Sequence, residues 1–125
     1  MNTLQFFEIQ SSKPEREIAF YSAVFGWTFE RVPGLPIPYF TINYEGVEGV
    51  LLERPAKVPP MGHGTNAYAC LFLVKNFDQT EKLILANGGK VAMPKFAIRG
   101  LQWQGYFLDS DNNVFGLIQR DVNAS

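Results

Sequence analysis

The feature that most constrains the fold is a weak internal repeat. Each half of the 125-residue sequence predicts a strand, then a helix, then three more strands. The two halves align in three segments, at offsets of 63, 67 and 66 residues. The matched pairs are Phe7 with Cys70, Ile9 with Phe72, Phe20 with Leu83, Gly26 with Gly89, Tyr39-Phe40 with Tyr106-Phe107, and Leu51-Leu52-Glu53-Arg54 with Leu117-Ile118-Gln119-Arg120. Since the matches occur in order and on equivalent elements, we interpret the chain as a duplicated unit.

The first half has the signals of one helix among four strands. Ser12 and Glu15 have the spacing of a capping box, and Gly26 is typical of a helix C-terminus, so we expect a helix that ends at Phe25. Its apolar stripe is expected to include Ile18, Tyr21 and Phe25. The strands are predicted near residues 4–10, 27–29, 39–44 and 50–53.

The second half follows a Pro- and Gly-rich linker at residues 55–65. Its helix should end at Gly88-Gly89, and two capping boxes fit its start: Asn76 with Gln79, or Asp78 with Glu81. A turn at residues 109–113 places Asn112 at a position suited to positive φ. The strands are predicted at residues 67–74, 90–93, 101–108 and 114–119.

Composition excludes several classes of protein. Hydrophobic residues make up 46% of the chain and charged residues 18%, which is typical of a globular domain. The net charge of −1 argues against nucleic acid as a partner, and the longest apolar run, Ala67–Val74, is too short to span a membrane. No secretory signal is visible, and the single Cys70 excludes an intrachain disulfide. We therefore expect a cytoplasmic protein with no nucleic-acid or membrane partner.

Three segments resemble the vicinal oxygen chelate superfamily, which includes glyoxalase I, bleomycin resistance proteins and extradiol dioxygenases. They are Phe6-Phe7-Glu8-Ile9, the helix with its Ala19-Phe20-Tyr21 and Val24-Phe25-Gly26-Trp27, and the stretch from Gly105 to Leu117. The resemblance implies an α+β fold of two βαβββ modules forming an open curved β-barrel around a cleft, with the helices outside. Residues 1–125 would form one such domain, with modules at about 3–54 and 66–121. The resemblance also implies a homodimer.

Strand alternation then predicts which side chains face that cleft. Phe7 and Ile9 should pack under the first helix, and on the third strand Phe40, Ile42 and Tyr44 should pack outward. Leu101, Trp103 and Phe107 should form one apolar face of the second module. The residues left to line the cleft are Phe6, Glu8, Gln10, Tyr39, Thr41, Gln102, Gln104 and Tyr106. The predicted ligand contacts among them are Phe6, Glu8, Tyr39, Thr41, Gln104 and Tyr106, and Gln119 is added because the resemblance places it at the same site. The same aromatic residues could instead fill the barrel themselves. Glu8 could be a ligand contact or a hydrogen-bonded structural acid.

The resemblance also implies four positions for metal ligands, two in each module. These positions hold Phe6, Glu53, Ala69 and Gln119. Because Phe6 and Ala69 have no donor atom, we predict no metal and no other cofactor. His63 lies in the linker, where we expect it to be solvated. Cys70 is expected to be buried beneath the second helix.

Three functions remain open. The first is a glyoxalase-like protein that binds a small, partly aromatic or apolar ligand in a metal-free cleft. The second is an enzyme: a lyase or isomerase related to lactoylglutathione lyase with a carboxylate base such as Glu53 or Glu8, or a metal-dependent dioxygenase-type enzyme. Glu53 could equally be a solvated residue at a strand end. The third is an accessory module with a vestigial cleft.

Overall fold

Strand β1 (Phe6–Ser11) and helix α1 (Pro14–Phe25) begin the first half of the chain. The computed structural model describes residues 4–63 and 68–125. As predicted, α1 ends at Gly26, whose φ of 72° is left-handed and suits glycine. The predicted capping box does not form, because the cap residue is Lys13 and no side chain caps the first turn.

The buried stripe of α1 is rotated relative to the prediction. Phe20, Tyr21 and Val24 are buried on it, together with Pro14 and Glu17. Ile18 and Phe25 are only half-buried. The side chain of Tyr21 stacks on Trp27 with ring centroids 5.3 Å apart.

Strands β2 (Thr28–Arg31), β3 (Tyr39–Asn43) and β4 (Glu48–Glu53) complete a four-stranded sheet with the order β1-β4-β3-β2. β1 and β4 run parallel and the other pairs are antiparallel. β4 begins at Glu48, two residues earlier than predicted, although Glu48-Gly49 has the composition of a turn. Gly49 is required there because a Cβ would lie 2.4 Å from the ring of Phe7 on β1.

The second half repeats this arrangement after a short 3-10 turn at Met61–His63. Its elements are β5 (Cys70–Leu73), α2 (Phe77–Ala86), β6 (Lys90–Ile98), β7 (Gln102–Leu108) and β8 (Val114–Arg120). The sheet order is β5-β8-β7-β6, and β5 runs parallel to β8. The α+β class and the two βαβββ modules are thus confirmed. The chain divides between Val58 and Pro59, inside the predicted linker.

The second module differs from the prediction in its boundaries. The start of its first predicted strand, at Ala67, lies outside the described residues. β6 is longer than predicted because it continues through Pro94, where its pairing with β7 shifts between Met93 and Phe96. Proline is tolerated there since β6 is an edge strand. Asn76 caps α2 by accepting a hydrogen bond from the Gln79 N–H (3.0 Å), which decides between the two predicted caps.

The strand register confirms most of the repeat. Phe7 pairs with Gly49 as Cys70 pairs with Phe115, so the offsets of 63 for the first strands and 66 for the last are correct. The match of Tyr39 with Tyr106 is wrong. In the first module Tyr39 pairs with Leu52. The residue of the second module that corresponds to Leu52 is Ile118, which pairs with Gln104. Gln104 is therefore the equivalent of Tyr39. The offset is therefore 65 for the third strands and 66 for the last, because the turn before β8 is one residue longer than the turn before β4.

Cys70 is exposed, contrary to the expectation of a buried thiol. β5 is an edge strand, and α2 packs against β6, β7 and β8. Cys70 therefore lies to the side of the helix. Partial burial still raises the pKa of its thiol above the ordinary value.

The two tryptophans, Trp27 and Trp103, have different environments. Trp27 is buried against Phe7 and Tyr21. Trp103 is half-buried and its indole donates to Asp121 Oδ2 (2.9 Å). The Asn123 backbone N–H and then this indole hold the pKa of Asp121 below its usual value.

Of the helices that the described residues form, none is both long and apolar enough to cross a bilayer.

Candidate functional site

The sheet of the first module has one face toward α1 and one open face. Ile9 and Leu51 are buried on the α1 side. Because side chains alternate along a strand, Phe6 and Glu8 project from the opposite face, as the sequence predicted. Both are exposed.

A groove of about 440 Å³ lies on this open face. The predicted ligand contacts Phe6, Tyr39 and Thr41 all line it, together with Ile42, Glu48, Gly49 and Val50. Glu48 is the neighbour of Phe6 across the β1–β4 pair and adds a carboxylate that sequence reasoning missed. It was missed because Glu48-Gly49 has the composition of a turn, and no period-two pattern marks β4.

The two candidate carboxylates of the first module lie on different faces. Glu8 is opposite Val50, on the open face. Glu53 pairs with the buried Ser11 at the end of β4, and strand alternation places it on the side of Leu51 and α1. The resemblance implies that Glu53 and Phe6 belong to one metal site, whereas the structure places them on different faces of the sheet.

The open face of the second module carries a row of hydrogen-bonded side chains. Arg120 donates to Gln102 Oε1, Gln102 Nε2 donates to Gln104 Oε1 (2.7 Å), and Gln104 Nε2 donates to the Tyr106 hydroxyl (2.9 Å). Gln104 and Tyr106 were predicted as ligand contacts. Phe96, whose ring stacks on Tyr106 at 6.5 Å, and Arg120 were not. Phe96 is opposite Gln104 across β6 and β7, a register that composition does not reveal.

Gln119, predicted as a ligand contact, has a different partner. Its Oε1 accepts a hydrogen bond from the backbone N–H of Phe77 (2.7 Å), the first residue of α2. The N–H groups of a first helical turn have no partner within the helix, so this amide satisfies one of them. The bond directs the Gln119 side chain toward α2.

Replacing Gln119 with leucine should therefore lower the free energy of unfolding by about 1 kcal/mol, because the Phe77 N–H loses its acceptor. Gln119→Glu keeps an acceptor and adds negative charge at a helix N-terminus, so its stability should equal or exceed that of the natural protein. Equilibrium urea denaturation measures both. Equal stability of all three proteins would contradict a capping role.

His63 is exposed and its Nε2 lies 3.0 Å from the carbonyl oxygen of Asn112. Because a carbonyl only accepts, Nε2 carries the proton in this contact. Asn112 has the predicted positive φ, at 61°, and its side chain donates to the Pro59 carbonyl (3.0 Å). These two hydrogen bonds connect Pro59 and His63, at the start of the second module, to the turn before β8.

Comparison with known proteins adds to this geometry. No protein-family model matches the sequence, and no curated protein does. Solved structures do match along nearly the whole chain. FosX, a fosfomycin resistance protein from Listeria monocytogenes, superposes with a TM-score of 0.75 at 17% identity. The match covers 98% of this chain and 95% of that one. The FosX structure is that of a mutant complexed with Mn(II) and 1S,2S-dihydroxypropylphosphonic acid.

Two further structures have the same architecture. A glyoxalase/bleomycin resistance protein/dioxygenase family enzyme from Burkholderia phytofirmans gives a TM-score of 0.73 at 16% identity, covering 94% of this chain and 98% of that one. TnmS3, an antibiotic binding protein from Streptomyces, gives 0.67 at 24% identity, covering 97% and 98%. The chain has the vicinal oxygen chelate fold. At these identities the shared feature is the fold.

The residues at the metal positions of the vicinal oxygen chelate fold do not fit a metal in this chain. Phe6 and Ala69 have no donor atom, Gln119 is engaged with α2, and Glu53 is on the α1 side. Within residues 4–63 and 68–125, no three His, Cys, Asp or Glu side chains form a group that could hold a metal ion. A divalent ion needs several converging N, O or S donors.

Proposed function

We propose that this protein binds a small, partly aromatic or apolar molecule without a metal ion. The contacts are Phe6, Glu8, Tyr39 and Thr41 in the first module, and Gln104 and Tyr106 in the second. The observation that carries the proposal is the groove on the open face of the first module, where Phe6 and Tyr39 border about 440 Å³ of space beside aliphatic side chains.

The chemistry of both open faces supports this proposal. Aromatic rings provide broad apolar contact, and a few hydroxyl and amide groups fix orientation, which is the usual composition of a small-molecule site. Phe6 is 48% exposed, so its ring is available for a ligand. TnmS3, which has the same fold, is an antibiotic binding protein.

A ligand screen by thermal shift tests the proposal, with bleomycin and a set of flat aromatic compounds as probes. A compound that binds the folded chain raises its melting temperature by mass action. Phe6→Ala and Tyr39→Ala should each weaken binding about tenfold, the cost of losing one aromatic contact.

Tyr68→Ala is the matched control, because Tyr68 is 97% exposed and should leave binding unchanged. Calorimetric titration of the best compound gives the affinities. Failure of every probe to stabilise the protein would refute ligand binding, and unchanged affinity in both aromatic variants would refute this site.

We also propose that the chain is a homodimer in the cytoplasm. Support for the dimer comes from β6, an edge strand on which Val91, Met93 and Ile98 expose apolar surface. Uncovered edges and apolar patches of this kind are commonly buried between subunits.

A further inference from the structure

We propose that the second module selects ligands that carry a hydrogen-bond acceptor beside a flat ring, because Tyr106 is held as a donor. This inference rests on the proposed function and names the class of ligand. The four side chains involved lie on one face of two paired strands. Gln102, Gln104 and Tyr106 alternate along β7, and Arg120 is the direct partner of Gln102 on β8.

The direction of the hydrogen-bonded row is set at Arg120. A guanidinium has donors and no acceptor, so the atom of Gln102 that faces it must be the oxygen. The amide nitrogen of Gln102 then faces Gln104 and donates to its oxygen. The two ends of an amide are hard to distinguish by shape, and here the cation removes that ambiguity.

The same logic continues to the phenol. The amide oxygen of Gln104 accepts a hydrogen bond from Gln102. The amide nitrogen of Gln104 therefore faces the Tyr106 hydroxyl, whose oxygen accepts a hydrogen bond from it. A hydroxyl has one hydrogen, and no member of the row uses it. That hydrogen is therefore available to water or to a ligand that offers an acceptor.

Two features hold the row in place. Gln102 is only 6% exposed, so rotating its amide away would leave buried polar atoms unsatisfied. Each bond also polarises the next one along a chain that begins at a positive charge. The row thus keeps the Gln104 amide on the acceptor side of the Tyr106 hydroxyl.

The surroundings of Tyr106 define the rest of the ligand. Phe96 stacks on its ring with an interplanar angle of 23°, and the two rings form an aromatic surface next to the hydroxyl. A planar ring packs well on such a surface. The class that matches both features is a neutral flat aromatic with a ring nitrogen, ether or carbonyl acceptor.

Quinoline and naphthalene test this selection, since they have nearly the same shape and only quinoline has an acceptor. At neutral pH quinoline is uncharged. Titrations followed by protein NMR should give about tenfold tighter binding of quinoline, the contribution of one directed hydrogen bond. In Tyr106→Phe the two compounds should bind equally.

Arg120 is a positioning residue, so its test uses the ratio of the two affinities and not the affinity itself. Arg120→Met frees the amides of Gln102 and Gln104 to rotate. The ratio of the affinity for quinoline to that for naphthalene should then fall towards one. Arg120→Lys restores a donor-only cation and should restore the preference. Arg99→Met, at another exposed arginine of the same module, is the control and should keep it.

Each outcome decides between the proposals. Equal binding of quinoline and naphthalene by the natural protein overturns the donor role of Tyr106 and leaves the proposed function intact. A preference that survives in Tyr106→Phe or in Arg120→Met also overturns it. Binding of neither compound, together with failure of the wider screen, overturns the proposed function itself.

Discussion

Replacing Gly89 with alanine is expected to lower the free energy of unfolding by about 3 kcal/mol. Gly89 is buried between α2 and β6, and its N–H donates to the Ile84 carbonyl (2.9 Å). A Cβ there would lie 2.4 Å from Ile84 Cγ2, 2.9 Å from the Leu108 carbonyl oxygen and 3.0 Å from that of Ile84. Two of these three atoms belong to the backbone, which cannot move aside as a flexible side chain does.

Gly62→Ala is the matched control for this variant, because nothing lies within 4 Å of a Cβ at that position. It should be neutral or slightly stabilising, since alanine reduces the entropy of the unfolded chain. Urea denaturation of both variants measures the difference. A Gly89→Ala protein as stable as Gly62→Ala would show that the α2–β6 junction relaxes without cost.

Removing the ring of Phe77 should have a comparable or larger effect. Phe77 is fully buried at the start of α2 and packs against Phe107 with ring centroids 5.9 Å apart. Phe77→Ala should lower the free energy of unfolding by about 3 to 5 kcal/mol, through lost burial and the cavity left behind. Thermal and urea denaturation measure this loss.

A double-mutant cycle locates the contact. The Phe77 ring occupies the space above Gly105, where a Cβ would lie 2.7 Å from its Cζ atom. Gly105→Ala should therefore be destabilising in the natural protein and much less so in a Phe77→Leu background. If Gly105→Ala lowers the free energy of unfolding equally in both backgrounds, the Phe77 ring does not pack against Gly105.

Periodicity accounts for the parts of the fold that were predicted. The first strand alternates clearly enough to place Phe6 and Glu8 on one face and Phe7 and Ile9 on the other, and the register confirms it. Gln104 and Tyr106 were likewise placed on the open face. These predictions succeeded because they depend only on the geometry of a single strand.

Features that depend on neighbours in space were missed. Gln119 resembles Glu53 in sequence, and only the position of α2 shows that its amide caps a helix. Gly26 aligns with Gly89, yet the glycine with the corresponding left-handed φ is Gly88, at 93°. Gly89 is needed for close packing instead, a requirement that no pattern within one segment reveals.

Each module closes by pairing its first strand with its last: Phe6 meets Glu48 in one and Cys70 meets Phe115 in the other. During translation, the amino-terminal sheet has all its strands once Glu53 has left the ribosome, before the carboxy-terminal strands exist. A nascent chain shorter than this leaves β1 without its partner. The order of synthesis thus matches the boundaries of the two modules, and each sheet lacks a strand until its own last strand has emerged.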